Sequence, residues 1–242
     1  MRKSNRLQEL RFSPEFEFNT PMSRTSLEDL FNTNQLLWDV KFDGSLNDGL
    51  EVCPSLSNHL KGKQGLLECE RVLTLLKEEA EATQSSKTGF HIHWNLLDAD
   101  GVGIMTPKQL TNIFIDWYNF KRVIELVLPE SRRGDNVTNL RGVSKYHIQD
   151  MINIATRLGK DDKAKLRDFM SEARTGHLVD LGINSDYGTL EFRKAIFTVD
   201  TKKLLLWIEF TRNFIGFNMK ARQKKFRTFM DSPENRLSLN HD

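Results

Sequence analysis

The residues of this chain that could do chemistry stand two apart inside short apolar frames. Gly89-Phe90-His91-Ile92-His93-Trp94-Asn95 is the clearest case. Side chains alternate faces along a strand, so His91 and His93 share one face while Phe90, Ile92 and Trp94 share the other. Glu15 and Glu17 alternate with Phe16 and Phe18 in the same way, and Glu191 and Arg193 alternate with Leu190, Phe192 and Lys194. Asp43 and Ser45, followed by Glu51, complete the set. Several carboxylates with one or two imidazoles form a hard, oxygen-rich donor set, suited to Mg²⁺ or Mn²⁺ rather than to a closed structural zinc site. An arginine beside such ions favours phosphate, whose oxygens match the planar guanidinium fork.

Each pair taken alone also has an ordinary structural role. Glu15 and Glu17 would serve as a solvated strand face, Asp43-Gly44-Ser45 as a hairpin turn, Glu191 and Arg193 as a same-face ion pair, and the histidines as hydrogen-bonding groups. Together they place charge on one face of four strands. Unpaired charge on a covered face is costly, and metal coordination would remove that cost.

The elements that must position these residues follow from periodicity. Alternation predicts strands over 10–18, 37–42, 50–53 and 89–95, the second and third coupled through the turn signal at Asp43-Gly44. Helical spacing of leucines predicts a helix over 65–81, and Ser26 with Asp29 suggests a short capped helix before it. Thr106-Pro107 reads as an N-cap followed by proline at the first helical position, opening a long buried helix that stops at Pro129. Residues 130–142 read as a polar loop, 144–157 and 161–173 as helices, and 177–182 and 189–197 as strands joined by the turn at 184–188. Thr201 opens a long final helix whose basic end, 220–227, complements the helix dipole. Strand pairs and long helices mix without regular alternation, which predicts an α+β fold with an antiparallel sheet, as one domain over 1–230 and a polar tail over 231–242.

One acidic stretch is a decoy. Asp98-Ala99-Asp100-Gly101-Val102-Gly103 opens like a calcium loop, but Val102 stands at the fifth place and Gln109 at the twelfth, where a bidentate glutamate belongs. It reads as a turn between strand and helix.

Composition bounds the remaining possibilities. With 38% hydrophobic and 28% charged residues the chain has a globular composition, and a net charge of +2 supplies no global field that would make nucleic acid the main partner. Cys53 and Cys69 lack Cys-x-x-Cys spacing and read as ordinary thiols in a reducing compartment. No apolar run follows the basic N-terminus and none reaches membrane-spanning length, so a cytoplasmic protein is expected.

In order, the chain carries Phe12-x-x-Glu15-x-Glu17-Phe18, Val40-Lys41-x-Asp43-Gly44-Ser45, Gly49-x-Glu51-Val52, Gly89-x-His91-x-His93, Arg132-Arg133 and Gly188-Thr189-x-Glu191-Phe192-Arg193. This series resembles the amidoligase family, a compact branch of the carboxylate–amine ligases related to glutamine synthetase and glutamate–cysteine ligase. The resemblance runs from about Phe12 to Phe217. It implies a curved antiparallel sheet of the glutamine-synthetase catalytic type, covered by long helices and holding ATP and divalent ions. ATP would phosphorylate a carboxylate acceptor, and an amine donor would attack the acyl phosphate to give an amide. The implied metal ligands are Glu15, Glu17, Asp43, Glu51, His91 and Glu191, with Mg²⁺ or Mn²⁺ as the ion. Glu15, Glu17, Ser45, His93 and Arg193 would face the nucleotide. Arg193 would stabilise the transferring phosphoryl group, Glu191 and Asp43 would act beside it, and Arg132 would contact phosphate or substrate. The family relatives assemble into rings, so an oligomer is compatible with the resemblance. Two other readings stand beside it: a non-catalytic interaction protein on a ligase scaffold, and a metal-dependent hydrolase using the histidines and carboxylates.

Overall fold

The structure, a computed structural model, describes residues 10–43, 46, 49–56, 58, 60–133, 141–175 and 179–219. Ser45, the basic segment 220–227 and the tail 231–242 lie outside the described residues. Strands and helices follow in the order β1 (Arg11–Asn19), α1 (Arg24–Thr33), β2 (Trp38–Phe42), β3 (Gly49–Pro54), β4 (Leu60–Lys61), α2 (Gly62–Glu78), β5 (Gly89–Asn95), α3 (Pro107–Leu126), α4 (Lys145–Leu158), α5 (Leu166–Glu172), β6 (Leu181–Asn184), β7 (Thr189–Ile196) and α6 (Thr201–Met219). Among the described residues the fold is α+β, with an antiparallel open sheet and six α-helices. No described helix is long and apolar enough to cross a membrane.

The chain forms two compact units, Met1–Trp94 with Glu191–Trp207, and Asn95–Leu190 with Ile208–Asp242. In the first, the strands run in the order β2-β3-β1-β5-β7, and β4 pairs with β1. The pairs β2–β3, β3–β1 and β1–β5 are antiparallel. So are β5 and β7, because Leu96 N–H donates to Gly188 O while Phe197 N–H donates to Thr88 O at the opposite ends.

Strict alternation gives this sheet two different faces. The back face is apolar: Phe12, Phe16, Phe18, Val40, Val52, Phe90, Ile92, Trp94 and Phe192 are buried there. Phe16 lies at the centre, its ring 5.6 Å from Trp38, 5.4 Å from Phe90 and 6.1 Å from Phe197. Burying each such side chain contributes about 1.5–3 kcal/mol, and these contacts keep the strands from slipping by one residue, which would exchange the two faces. The other face carries the glutamates and histidines. The edge strand β2 is fixed from outside as well, since Trp38 Nε1 donates to Glu68 of α2 at 3.0 Å.

Local signals account for most boundaries; among the differences, β6 runs to Asn184, past the end expected at 182, and α2 spans Gly62–Glu78 rather than 65–81. Helix α1 is capped by Ser23, whose Oγ accepts from Ser26 N–H at 3.1 Å, so Ser26 is the third helical residue rather than the cap. Ser23 holds the extended backbone that an N-cap requires (φ −69°, ψ 157°). The helix expected over 161–173 splits into a 3₁₀ turn, Lys163–Lys165, and α5. In the second unit Thr106 caps α3 as expected, and Gln109 closes the capping box by accepting from Thr106 N–H at 2.9 Å. Asp98 Oδ1 accepts from Asp100 N–H and Val102 N–H at 3.0 and 2.8 Å, which makes the acidic stretch a backbone turn. Trp117 of α3 meets Phe214 of α6 edge-on at 5.7 Å in this unit's core.

Candidate metal centre

The polar face of the first unit is assembled by register. Glu15 stands opposite His91 and Ser13 opposite His93 across β1–β5, while Glu17 stands opposite Glu51 across β1–β3. Glu191 enters from the neighbouring strand β7. Glu15 is the hub: its Oε1 lies 3.1 Å from His93 Nε2 and its Oε2 lies 3.3 Å from His91 Nδ1. Glu191 Oε1 lies 2.6 Å from Arg193 Nε, 3.5 Å from His93 Nε2 and 3.6 Å from His91 Nδ1. Glu17 Oε2 accepts from Gly89 N–H at 2.7 Å, and its Oε1 is 3.5 Å from His91 Nε2.

The electrostatics follow from crowding carboxylates into a largely buried face. Burial opposes ionisation of Glu15, but the hydrogen bonds from His91 and His93 outweigh it and hold that carboxyl well below its ordinary value. The same contacts act in reverse on the imidazoles. Burial disfavours their charged forms, yet the bond to Glu15 and the charge of neighbouring glutamates raise both His91 and His93. Glu17 and Glu51 are raised, first by burial and then by neighbouring acids, with Asp43 and Glu15 acting on Glu17 and Glu15 and Glu17 on Glu51. Four glutamates thus share one sheet face with two cationic side chains, Arg193 and Lys41.

The donor set fits a divalent ion. One ligand atom each from Glu15, His93 and Glu191 lie within 4.8 Å of one another, and all three residues are at least partly buried. Two carboxylates and an imidazole, with further carboxylates beside them, are the oxygen-rich surroundings that Mg²⁺ and Mn²⁺ take. His93 completes this trio, and His91 Nδ1 lies 3.3 Å from Glu15 Oε2 and 3.6 Å from Glu191 Oε1. Sequence alternation shows that both histidines share a face but cannot tell which nitrogen approaches which oxygen.

Asp43 follows the end of β2, close enough for its charge to act on Glu17. Arg132 belongs to the second unit, on the 3₁₀ turn Glu130–Arg132, where it is buried. Two contributors escape the sequence reading. Gly89 donates to Glu17 and leaves no room for a side chain, since a Cβ there would lie 2.4 Å from Glu17 Oε2. Lys41 Nζ lies 3.4 Å from Glu51 Oε1. Its partner is set by the β2–β3 register. No family model matches the chain, and no curated protein sequence matches it.

Proposed function

We propose that the chain is an ATP- and Mg²⁺-dependent carboxylate–amine ligase, built on a sheet of the glutamine-synthetase catalytic type. The observation that carries this reading is the convergence of Glu15, Glu17, Glu51 and Glu191 with His91, His93 and Arg193 on one sheet face. The order of those residues along the chain, which resembles the amidoligases, adds the reaction class. Glu15, His93 and Glu191 would hold one divalent ion, and His91, Glu17, Glu51 and Asp43 would be the donors for a second. Bound ions would neutralise the phosphate charge of ATP, the main requirement of phosphoryl transfer.

The chain's own groups do the rest. Arg193 presents a guanidinium next to Glu191, where its planar fork suits a phosphoryl oxygen. The carboxylate acceptor attacks the γ-phosphorus and ADP leaves. The amine donor then attacks the acyl carbon, the bond from that carbon to the bridging oxygen breaks, and phosphate leaves with that oxygen, the electron pair and the proton lost by the amine. The largely buried strand face limits water, which would otherwise hydrolyse the acyl phosphate. Both cysteines are free and buried, in keeping with a reducing cytoplasm.

Calorimetric titration with ATP, with and without Mg²⁺, tests this reading on wild type and Glu191→Ala. Binding that requires Mg²⁺ and is lost in Glu191→Ala is expected. A folded wild type that binds no nucleotide with either Mg²⁺ or Mn²⁺ sinks the reading, and metal-dependent turnover without ATP replaces it with the hydrolase.

A further inference from the structure

Lys41 has no part in the ligand set above, yet its place is closely determined. Trp38 and Val40 are buried on the back of β2, and Trp38 is tied to Glu68, so Asp39 and Lys41, which alternate with them, project onto the opposite face. The register sets Lys41 directly opposite Glu51, and Glu51 directly opposite Glu17 on the next strand. The ammonium lies 3.4 Å from Glu51 Oε1, with the lysine side chain 52% exposed and the glutamate side chain 19% exposed. Cys53, on the same face of β3 as Glu51, is near enough for Lys41 to act on its thiol. Lys41 is thus anchored at its backbone, with its half-exposed tip against the Glu51 carboxylate.

We propose that Lys41 is a positioning residue that acts as an internal counter-cation: it holds Glu51 while the site is empty, competes with a divalent ion for that carboxylate, and is displaced toward solvent when the ion arrives. Three observations support this. Glu51 stands beside Glu17 and Glu15, whose charges act on it, so a lone ionised Glu51 would be repelled without a cation nearby. A single positive charge and a divalent ion cannot both sit against one carboxylate without mutual repulsion. The exposed half of the lysine gives the displaced ammonium a solvated place to go. Arg193, by contrast, is only 19% exposed beside Glu191 and is held in place.

The inference rests on the divalent-ion part of the proposed function, and its test needs no ligase turnover. Mn²⁺ is titrated by calorimetry into wild type, Lys41→Met, Lys41→Arg and Glu51→Gln, each checked for folding by thermal denaturation in chelator. Removing a competing exposed ion pair should tighten Mn²⁺ binding roughly two- to fivefold in Lys41→Met. Lys41→Arg, which keeps the charge, should stay near wild type, and Glu51→Gln should weaken binding. A second readout uses the unmodified chain: acylation of Lys41 by acetic anhydride, followed by mass spectrometry, should accelerate when Mn²⁺ is added. In Glu51→Gln it should already be fast without the ion. If Mn²⁺ binds wild type but Lys41→Met binds it no tighter, or if acylation of Lys41 ignores the ion, the inference is overturned while the proposed function stands. If wild type binds no Mn²⁺, both fall.

Discussion

Gly89 offers the sharpest test of how the carboxylate face is held. Its backbone donates the 2.7 Å bond to Glu17 Oε2, and a methyl group at its Cα would stand 2.4 Å from that oxygen and 3.0 Å from His91 Nε2. The nearest obstacle is the far end of a flexible side chain, so in Gly89→Ala the strand should persist and the Glu17 carboxylate should be pushed off its donor. Losing a buried hydrogen bond to a charged acceptor costs about 1.5–3 kcal/mol. Alanine recovers about 0.4–1 kcal/mol by restricting the unfolded chain, leaving a net loss of about 0.5–2.6 kcal/mol. Urea denaturation of Gly89→Ala, Glu17→Ala and the double variant measures the coupling directly. With Glu17 shortened to alanine, the added methyl should become neutral or stabilising. An equal loss in both backgrounds would refute the reasoning, because the damage would then come from the strand backbone and not from the carboxylate.

Other outcomes follow from the same geometry. His91 and His93 are raised from 6.5, so their contribution to stability is full below that value and is lost as pH rises through their folded values. Glu15 is lowered, so its contribution is present above the ordinary carboxyl value of 4.5 and is lost only as pH falls through its depressed folded value. The melting temperature in chelator should therefore fall as pH rises above 6.5, and saturating Mn²⁺ should reverse that slope, because the ion replaces the protons; a flat profile in chelator would contradict the assignment. Phe16→Ala should cost about 3–5 kcal/mol in urea denaturation, whereas Phe42→Ala, at an exposed ring, should stay within about 0.5 kcal/mol. Burial pushes the Cys53 thiol up to about 11 despite the nearby Lys41, and burial raises Cys69 as well. Alkylation by iodoacetamide at neutral to mildly basic pH should accordingly be more than about 100-fold slower in the native protein than in denaturant, because so little thiolate is present.

Period-two alternation was enough to show which residues share a face, because one-residue slips would bury glutamates among Phe12, Phe16 and Phe90. Alternation therefore groups Glu15 with Glu17, His91 with His93 and Glu191 with Arg193. Register is a property of pairs of strands, and no single stretch contains it. That is why the opposition of Lys41 to Glu51, and the donation from Gly89 to Glu17, emerge only from the structure. Ser23 and Ser26 show the same limit on a smaller scale: both residues can cap a helix, and the backbone conformation at Ser23 decides between them. Thr106 was readable because proline at the next position leaves the hydroxyl residue one natural role. The two-residue strand β4 is too short for any periodic signal.

The central claim is that the glutamate and histidine side chains of β1, β5 and β7 form a divalent-ion site. Anomalous diffraction from crystals soaked in Mn²⁺ tests it most directly. The account predicts a manganese peak among Glu15, His93 and Glu191, absent in crystals of Glu191→Ala. Manganese bound elsewhere, with that trio left unoccupied at saturating ion, would contradict it.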